Sequence, residues 1–575
     1  MEPGHIIREE TRPTVLTGAI VGGLVMVVLL GLSYLGSRAA GLPSIADDLF
    51  AWIRDLLPGD VVTAGIDAMV DTIISLNIGD DLDSTAKFFE QASANLMVIG
   101  MGVVVGALLY SGLRSQASQS STAVYTPGLA TGLVLGVIVA FVSRDKMVIT
   151  NLIDPERFTI IDGLWIVGLF TVFGLALGWI YTQLITLPVT SGEAATEGAS
   201  VQAIDRRQFL LRVGGATAVL TLVGAGLGRL LREDLDRTEV ASSTEPISTP
   251  EPEATAMTEA TEMPNTTAML EPAPGTRPEY TPLDEHYRID ISTRPPRIRE
   301  AEWALLVNGL VEAETAMTLG ELRNNYEPVD QLITLSCISN RVGGSLISTT
   351  RWTGVPLKTL LEDWNVSPEA SYMKITSADG FDEYVSLDLA REDERVMLTY
   401  EWDGKPLKEK HGFPVRIYIP NHYGMKQPKW IIGIEMVSSW DEGYWVRRGW
   451  SEAALVRTTS VVDTVATDAI YEEAGQMYVP VGGIAYSGAR GISKVEVQVD
   501  EGEWTEAQLL EPLSELTWVL WRYDWPFQAG DHTFAVRCYD GNGTLQITER
   551  NDVRPDGATG IHTRSADIGE AQVSA

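Results

Sequence analysis

Cysteine is nearly missing from this chain. Its 575 residues include two, Cys337 and Cys538, so no disulfide framework organises the fold. Histidine is almost as scarce: the six stand at 5, 286, 411, 422, 532 and 562. None falls within a long apolar run, which excludes a bis-histidine haem inside a membrane region. Those runs also lack carboxylates or lysines near their middles, so a proton or ion pathway has no support there. Basic residues are outnumbered, 43 Lys+Arg against 77 Asp+Glu, for a net charge of −34. Such a surface repels phosphate, which argues against nucleic acid as a partner. Residues 284–448 hold no P-loop and no helical repeat.

What it does have is apolar length. Pro13–Ser37, Gln91–Leu113, Ser115–Ser143 and Gly163–Gly192 carry no charge, and each is long enough for the roughly 30 Å of a bilayer core. A fifth stretch, Phe209–Leu231, has Arg212 and Arg229 near its ends, where long side chains reach for water. Gly100, Gly102 and Gly106 predict close helix packing. Lys and Arg on the two sides of these stretches do not set an orientation. The intervening Ala39–Glu90 segment, with Asp47, Asp48, Asp80, Asp81 and Asp83, reads as an acidic outer loop. Asp205-Arg206-Arg207-Gln208-Phe209-Leu210-Leu211, followed by the Gly/Ala-rich run Val213–Gly228, resembles a twin-arginine export signal, an address read in the cytoplasm. The other reading is the basic flank of a membrane helix. With the paired arginines inside, everything after Leu231 lies outside. Residues 234–283 turn to Thr, Glu, Pro, Ala and Ser, the composition of a disordered tether.

Short strands and helices then alternate over 284–450, an α+β pattern. Trp303–Val307 runs into an Asn308-Gly309 turn, Thr318 caps a short helix, Lys358–Trp364 is helical, and Pro414–Pro420 and Lys429–Met436 are strands. From 451 to 575 the pattern is all-β: Ile492, Val495, Val497 and Val499 share one strand, and Trp518–Trp525 and His532–Tyr539 follow, with turns at Gly530-Asp531 and Asp540–Gly543. An immunoglobulin-like sandwich is expected, with Cys538 in its core.

Cys337 lies between the apolar run Gln331–Leu335 and the Gly343-Gly344 turn. It reads as a small buried hydrophobe, as a disulfide partner of Cys538 in a different domain, or as a soft metal ligand. One thiolate makes no cage, so in the third reading a cofactor supplies the remaining ligands. His422 fits no motif and reads as a loop residue.

Three segments carry a resemblance. They are His286-Tyr287-Arg288-Ile289-Asp290 with Pro295-Pro296-Arg297; LSCISNRVGGSLISTTRWTGVPLKTLLEDW from Leu335 to Trp364; and Lys410–Arg416 with Tyr423–Trp430. In this order they resemble the sulfite oxidase family over nearly the whole α+β domain. The resemblance implies a molybdenum pyranopterin dithiolene without a nucleotide, with Cys337 ligating the metal. Tyr287, Arg288, Ser377, His411, Arg416, Gly424, Lys426, Gln427 and Lys429 would contact the cofactor. Arg416, Lys426 and Lys429 suit its phosphate as charge-assisted donors, and Gly424 lets backbone come close. Arg341 would receive an anionic substrate such as sulfite. Val342 departs from the family, which tends to place a second basic residue there, and Asp284 stands where related reductases have Asn.

The organisation implied is a four-span region (1–192), the twin-arginine-like motif with a fifth span (193–233), the tether (234–283), a molybdopterin-binding catalytic domain (284–450) and an immunoglobulin-like dimerisation domain (451–575). The function implied is oxygen-atom transfer by a multi-pass membrane protein whose catalytic domain is extracytoplasmic. It would form a homodimer and use an unidentified electron-transfer partner. A reductase of methionine-sulfoxide-like substrates is the alternative on the same scaffold. A metal-free, membrane-anchored binding module is the alternative outside enzymes.

Overall fold

The computed structural model describes residues 12–76, 82–115, 121–148, 159–186, 211–215, 219, 270–292 and 295–569. The paired arginines and most of the fifth apolar stretch lie outside these residues. The chain divides into two units, residues 1–57 with 87–258, and residues 58–86 with 259–575.

Among the described residues the first helices are α1 (Val15–Ala40), α2 (Ile45–Leu56), α3 (Gly59–Ser75), α4 (Leu82–Ser115), α5 (Ser121–Val148) and α6 (Ile160–Thr186). Four segments, Val15–Ala40, Thr85–Ser115, Tyr125–Arg144 and Ile160–Ile185, are long and apolar enough to cross a membrane. Thr14 starts α1, its hydroxyl accepting the Thr17 N–H at 3.1 Å. The first unit packs through glycine. A Cβ on Gly22 would stand 2.1 Å from the Gly102 carbonyl oxygen, and one on Gly106 2.2 Å from that of Gly18. Helices α5 and α6 meet in the same way at Gly128 and Gly174. Leucine gains nothing by leaving lipid for another helix, so close backbone approach is what draws such helices together. Gly100 has open space where a Cβ would go, so of the three glycines read for packing, Gly102 and Gly106 make the contact.

Besides α3, the second unit carries ten strands between residues 304 and 437: β1 (Ala304–Gly309), β2 (Thr315–Thr318), β3 (Val329–Ser336), β4 (Ile347–Pro356), β5 (Tyr372–Ser377), β6 (Asp382–Ser386), β7 (Met397–Trp402), β8 (Lys405–Pro406), β9 (Arg416–Tyr418) and β10 (Ile431–Val437). One sheet runs β2-β1-β10-β5-β6, with β1 and β10 parallel. The other runs β3-β4-β7-β8, with β9 also on β7. Alternation sets the inward face: Leu305 and Val307 of β1 and Met373 and Ile375 of β5 are buried. Thr318 caps the helix Leu319–Asn324 in a full capping box with Glu321.

Nine strands follow: β11 (Thr459–Val465), β12 (Tyr471–Glu473), β13 (Gln476–Tyr486), β14 (Ile492–Val499), β15 (Thr505–Glu506), β16 (Gln508–Leu509), β17 (Val519–Pro526), β18 (Gly530–Asp540) and β19 (His562–Ile568). Two antiparallel sheets, β11-β13-β17-β16 and β15-β14-β18-β19, enclose Val479, Val481, Trp521, Val495, Phe534 and Val536. Cys538 is in this core, and both cysteines are free. The disulfide reading of Cys337 is therefore excluded.

The two β-domains share an apolar seam in which Ile338, Ile347, Tyr423 and Met425 meet Val456, Ile484, Tyr486 and Trp518. Backbone is tied across it: the Tyr486 hydroxyl donates to the Thr334 carbonyl at 2.7 Å, and the Thr334 N–H donates to the Leu516 carbonyl at 3.1 Å. Residues 270–283, read as the end of the tether, are a strap over both domains. Arg277 pairs with Asp463 at 2.6 Å, the Trp518 indole donates to the Glu279 carbonyl at 2.8 Å, and the Thr281 N–H donates to the Thr349 carbonyl at 2.8 Å. Composition suggested disorder here, but these anchors give the strap's polar groups partners.

Candidate cofactor site

Strand β3 ends at Ser336 and delivers Cys337 to the seam. The Cys337 N–H donates to the Leu346 carbonyl, and its own carbonyl accepts the Asn340 N–H, both at 3.0 Å. The turn that follows is tight: Gly343 has φ +83°, and the Asn340 side-chain oxygen accepts the Leu346 N–H at 3.0 Å. The thiol is buried, with the Ser339 hydroxyl 2.9 Å away. Burial pushes its pKa up, while hydrogen bonding from Ser339 and the charge of Lys429 pull the other way.

Beside it lies a basic cluster built from the opening segment and the loop between β9 and β10. Asp290 accepts from Arg288 Nε at 2.7 Å and from Lys429 Nζ at 2.9 Å. One carboxylate thus accepts from two cations. Burial draws Lys429 down to about 8, against the pull of Asp290. Arg416 is buried, lies over the Trp352 ring at 5.0 Å and donates to the His411 carbonyl at 3.2 Å. Burial lowers its pKa, yet a guanidinium stays charged. His286 and His411 stand with ring centroids 5.3 Å apart, against Trp402. Trp430 takes φ +50°, held by its indole N–H on the Glu409 carbonyl at 2.6 Å; such backbone in a non-glycine residue clusters at functional sites.

The remaining candidates are placed as follows. Gly424 faces Tyr287: a Cβ there would sit 3.0 Å from the tyrosine oxygen. Gln427 donates to the His422 carbonyl at 2.8 Å. Ser377 ends β5 and is linked to the loop through Ala378, whose N–H donates to the Trp430 carbonyl at 2.9 Å. Lys426 is turned to Glu383, 2.8 Å away, and both are buried, so its charge is already answered. Arg341 is half-exposed and pairs with Asp71 of α3 at 2.5 Å. Asp284 is at the surface, paired with Lys408. His422 is a loop residue whose Nδ1 is 2.7 Å from the Pro420 carbonyl. Asp290 lies in the His286–Asp290 segment that carried the resemblance, whereas Glu383 and Trp402 had no such local sequence signal.

A pyranopterin offers ring N–H donors, carbonyl acceptors and a terminal phosphate, and the residues present fit it. Among the described residues His286 Nε2, His411 Nε2, Ser377 Oγ and Gln427 Oε1 are buried without a hydrogen-bond partner. Buried polar atoms are nearly always satisfied, so a cluster of exceptions indicates a missing partner. With His286 Nδ1 directed at the Tyr287 carbonyl at 3.1 Å, Nε2 is left as an acceptor. No group of three or more His, Cys, Asp or Glu among the described residues could hold a metal ion, so a metal at Cys337 would need ligands from the cofactor.

Residues 292–445 match the oxidoreductase molybdopterin binding domain. The chain thus carries a molybdopterin-binding oxidoreductase domain of the sulfite oxidase type. It is 26% identical to inducible nitrate reductase [NADH] 2 of Glycine max, over 45% of this chain and 36% of that protein. It is 27% identical to mitochondrial sulfite oxidase of Homo sapiens, over 42% of this chain and 51% of that protein. YedZ1 of Azospira oryzae, named as a protein-methionine-sulfoxide reductase subunit, is 33% identical over 31% of this chain and 63% of its own length. The chain therefore spans less than two thirds of each of these relatives. The crystal structure of sulfane dehydrogenase SoxCD from Paracoccus pantotrophus aligns at 19% identity and TM-score 0.44, over 56% of this chain and 98% of that one.

Proposed function

We propose that this protein is a membrane-anchored molybdenum oxidoreductase whose catalytic domain faces outward, with the Cys337 thiolate as the protein's ligand to the metal. Bound there, a molybdenum pyranopterin would supply two-electron oxygen-atom transfer; the chain supplies position and electrostatics. Cys337 is held from both sides by backbone hydrogen bonds. Burial keeps its free thiol protonated, and a coordinating cation reverses that preference. Arg416 and Lys429 are the cations for the phosphate; His286 and His411 offer ring nitrogens to the pterin. Arg341, on the turn after the thiolate, receives the substrate's negative charge.

The observation that carries this reading is a lone buried thiol beside buried cations and unsatisfied polar atoms. X-ray absorption at the molybdenum edge tests it. The wild-type protein is expected to show one sulfur neighbour more than Cys337→Ser, and equal sulfur shells in the two proteins would refute the ligand assignment. Sulfite is the substrate we favour. Sulfoxide reduction is the second reading, favoured by Val342 beside Arg341 and by the Azospira relative; steady-state assays with sulfite and methionine sulfoxide separate the two. The C-terminal sandwich is proposed to pair two copies, which sedimentation of the purified protein checks.

A further inference from the structure

Helix α3 has no part in the reading above. In sequence it belongs to the segment between the first two apolar helices, yet it packs within the unit that carries the cofactor site. Val62, Thr63 and Ile73 are its buried residues. Its first turn abuts the 446–448 turn: a Cβ on Gly59 would lie 3.0 Å from the Arg448 Cα. Asp67 and Asp71, one helical turn apart, face the same way and hold two arginines. Asp67 accepts from Arg554 Nη2 at 2.7 Å, and Asp71 accepts from Arg341 Nη2 at 2.5 Å.

The turn bearing Arg341 is fixed. Its carbonyl accepts the Gly344 N–H at 2.8 Å. Gly343 sits so close to His562 that a Cβ would meet the ring nitrogen at 2.4 Å. Motion is left to the Arg341 side chain, which is 44% exposed against 63% for Asp71. A carboxylate on a guanidinium occupies the place, and supplies the charge, of an oxyanion substrate.

We propose that Asp71 competes internally for the substrate's position on Arg341, so that α3 is an acidic lid an incoming oxyanion must displace. This rests on Arg341 being the substrate's arginine. An incoming anion replaces the carboxylate's negative charge on the guanidinium; a neutral sulfoxide brings no charge to replace it. Asp71 therefore raises KM for anions and leaves the reacting atoms untouched.

Sulfate, an oxyanion that does not react, probes this by calorimetry on the full-length protein. Asp71→Asn is expected to tighten sulfate binding by about two- to fivefold, the scale of an exposed ion pair. Arg341→Gln is expected to weaken it, and the double variant to behave as Arg341→Gln alone. Asp60→Asn removes the same charge from the exposed start of the same helix and is expected to change nothing. Unchanged affinity in Asp71→Asn, with Arg341→Gln still weakened, overturns the lid and leaves the arginine's role standing. No effect of Arg341→Gln overturns both. An equal gain in Asp60→Asn, or no binding in either wild type or Asp71→Asn, also overturns the lid. Asp71, Arg341 and Asp60 are at the surface, where substitution leaves folding intact.

Discussion

His286 and His411 make the cofactor site acid-sensitive. Burial drives the His286 pKa from 6.5 down to about 3, helped by Arg416, Lys429 and Lys410 and opposed by the Tyr287 carbonyl. His411 moves the same way, again mainly through burial, then through His286 and the same cations. The unfolded chain takes up these protons below pH about 6.5 and the folded one does not. Stability from this source is complete above that pH and is lost as pH falls toward 3, at up to about 1.4 kcal/mol per pH unit for each histidine. Urea midpoints of the catalytic unit from pH 7 to pH 5 measure the slope. His286→Gln is expected to remove about one proton's worth; an unaltered slope would count against the assignment. At this scale the sequence was legible where residues are rare. A single cysteine between an apolar run and a glycine turn drew attention to itself. Glu383 did not, because only the fold decides which of 77 acidic side chains are taken out of water.

Elements were legible to the extent that their periodicity was local. The Thr318 cap, the 357–363 helix and the β10, β14 and β18 patterns lie within a residue or two of their expected places. Helix α3 was hidden in what read as an acidic outer loop, because its aspartates find their partners hundreds of residues away at Arg341 and Arg554. The glycine contacts of α1 with α4 make a further element-scale prediction. Gly106→Val puts side-chain atoms where the Gly18 carbonyl stands at 2.2 Å, and is expected to cost about 1–3 kcal/mol of packing. Gly100→Val, in open space, is expected to be neutral. Thermal unfolding in detergent compares the two, and equal losses would remove the glycine contact as the cause.

For the whole molecule, the paired arginines bear on sidedness. Arg206→Lys with Arg207→Lys keeps the charge but abolishes the paired arginines. If those residues are an export address, the double variant is expected to keep the catalytic domain inside. Protease added to intact cells would then spare it, whereas it would cut the wild type. Cleavage in both would refute the export role of the paired arginines, and protection of both would refute the outward orientation. Composition alone divides the chain into apolar, proline-rich and alternating segments, but it did not show that residues 58–86 belong with the second unit. The strap was not readable either, because its anchors, Asp463, Thr349 and Trp518, come from two different β-domains. That arrangement has a mechanical consequence. A tug on the chain upstream of residue 270 lands on Arg277 at β11 and on Thr281 at β4 together, so the load is shared across the joint and neither domain is peeled from the other. The strap works like the clamp on a cable entering its socket.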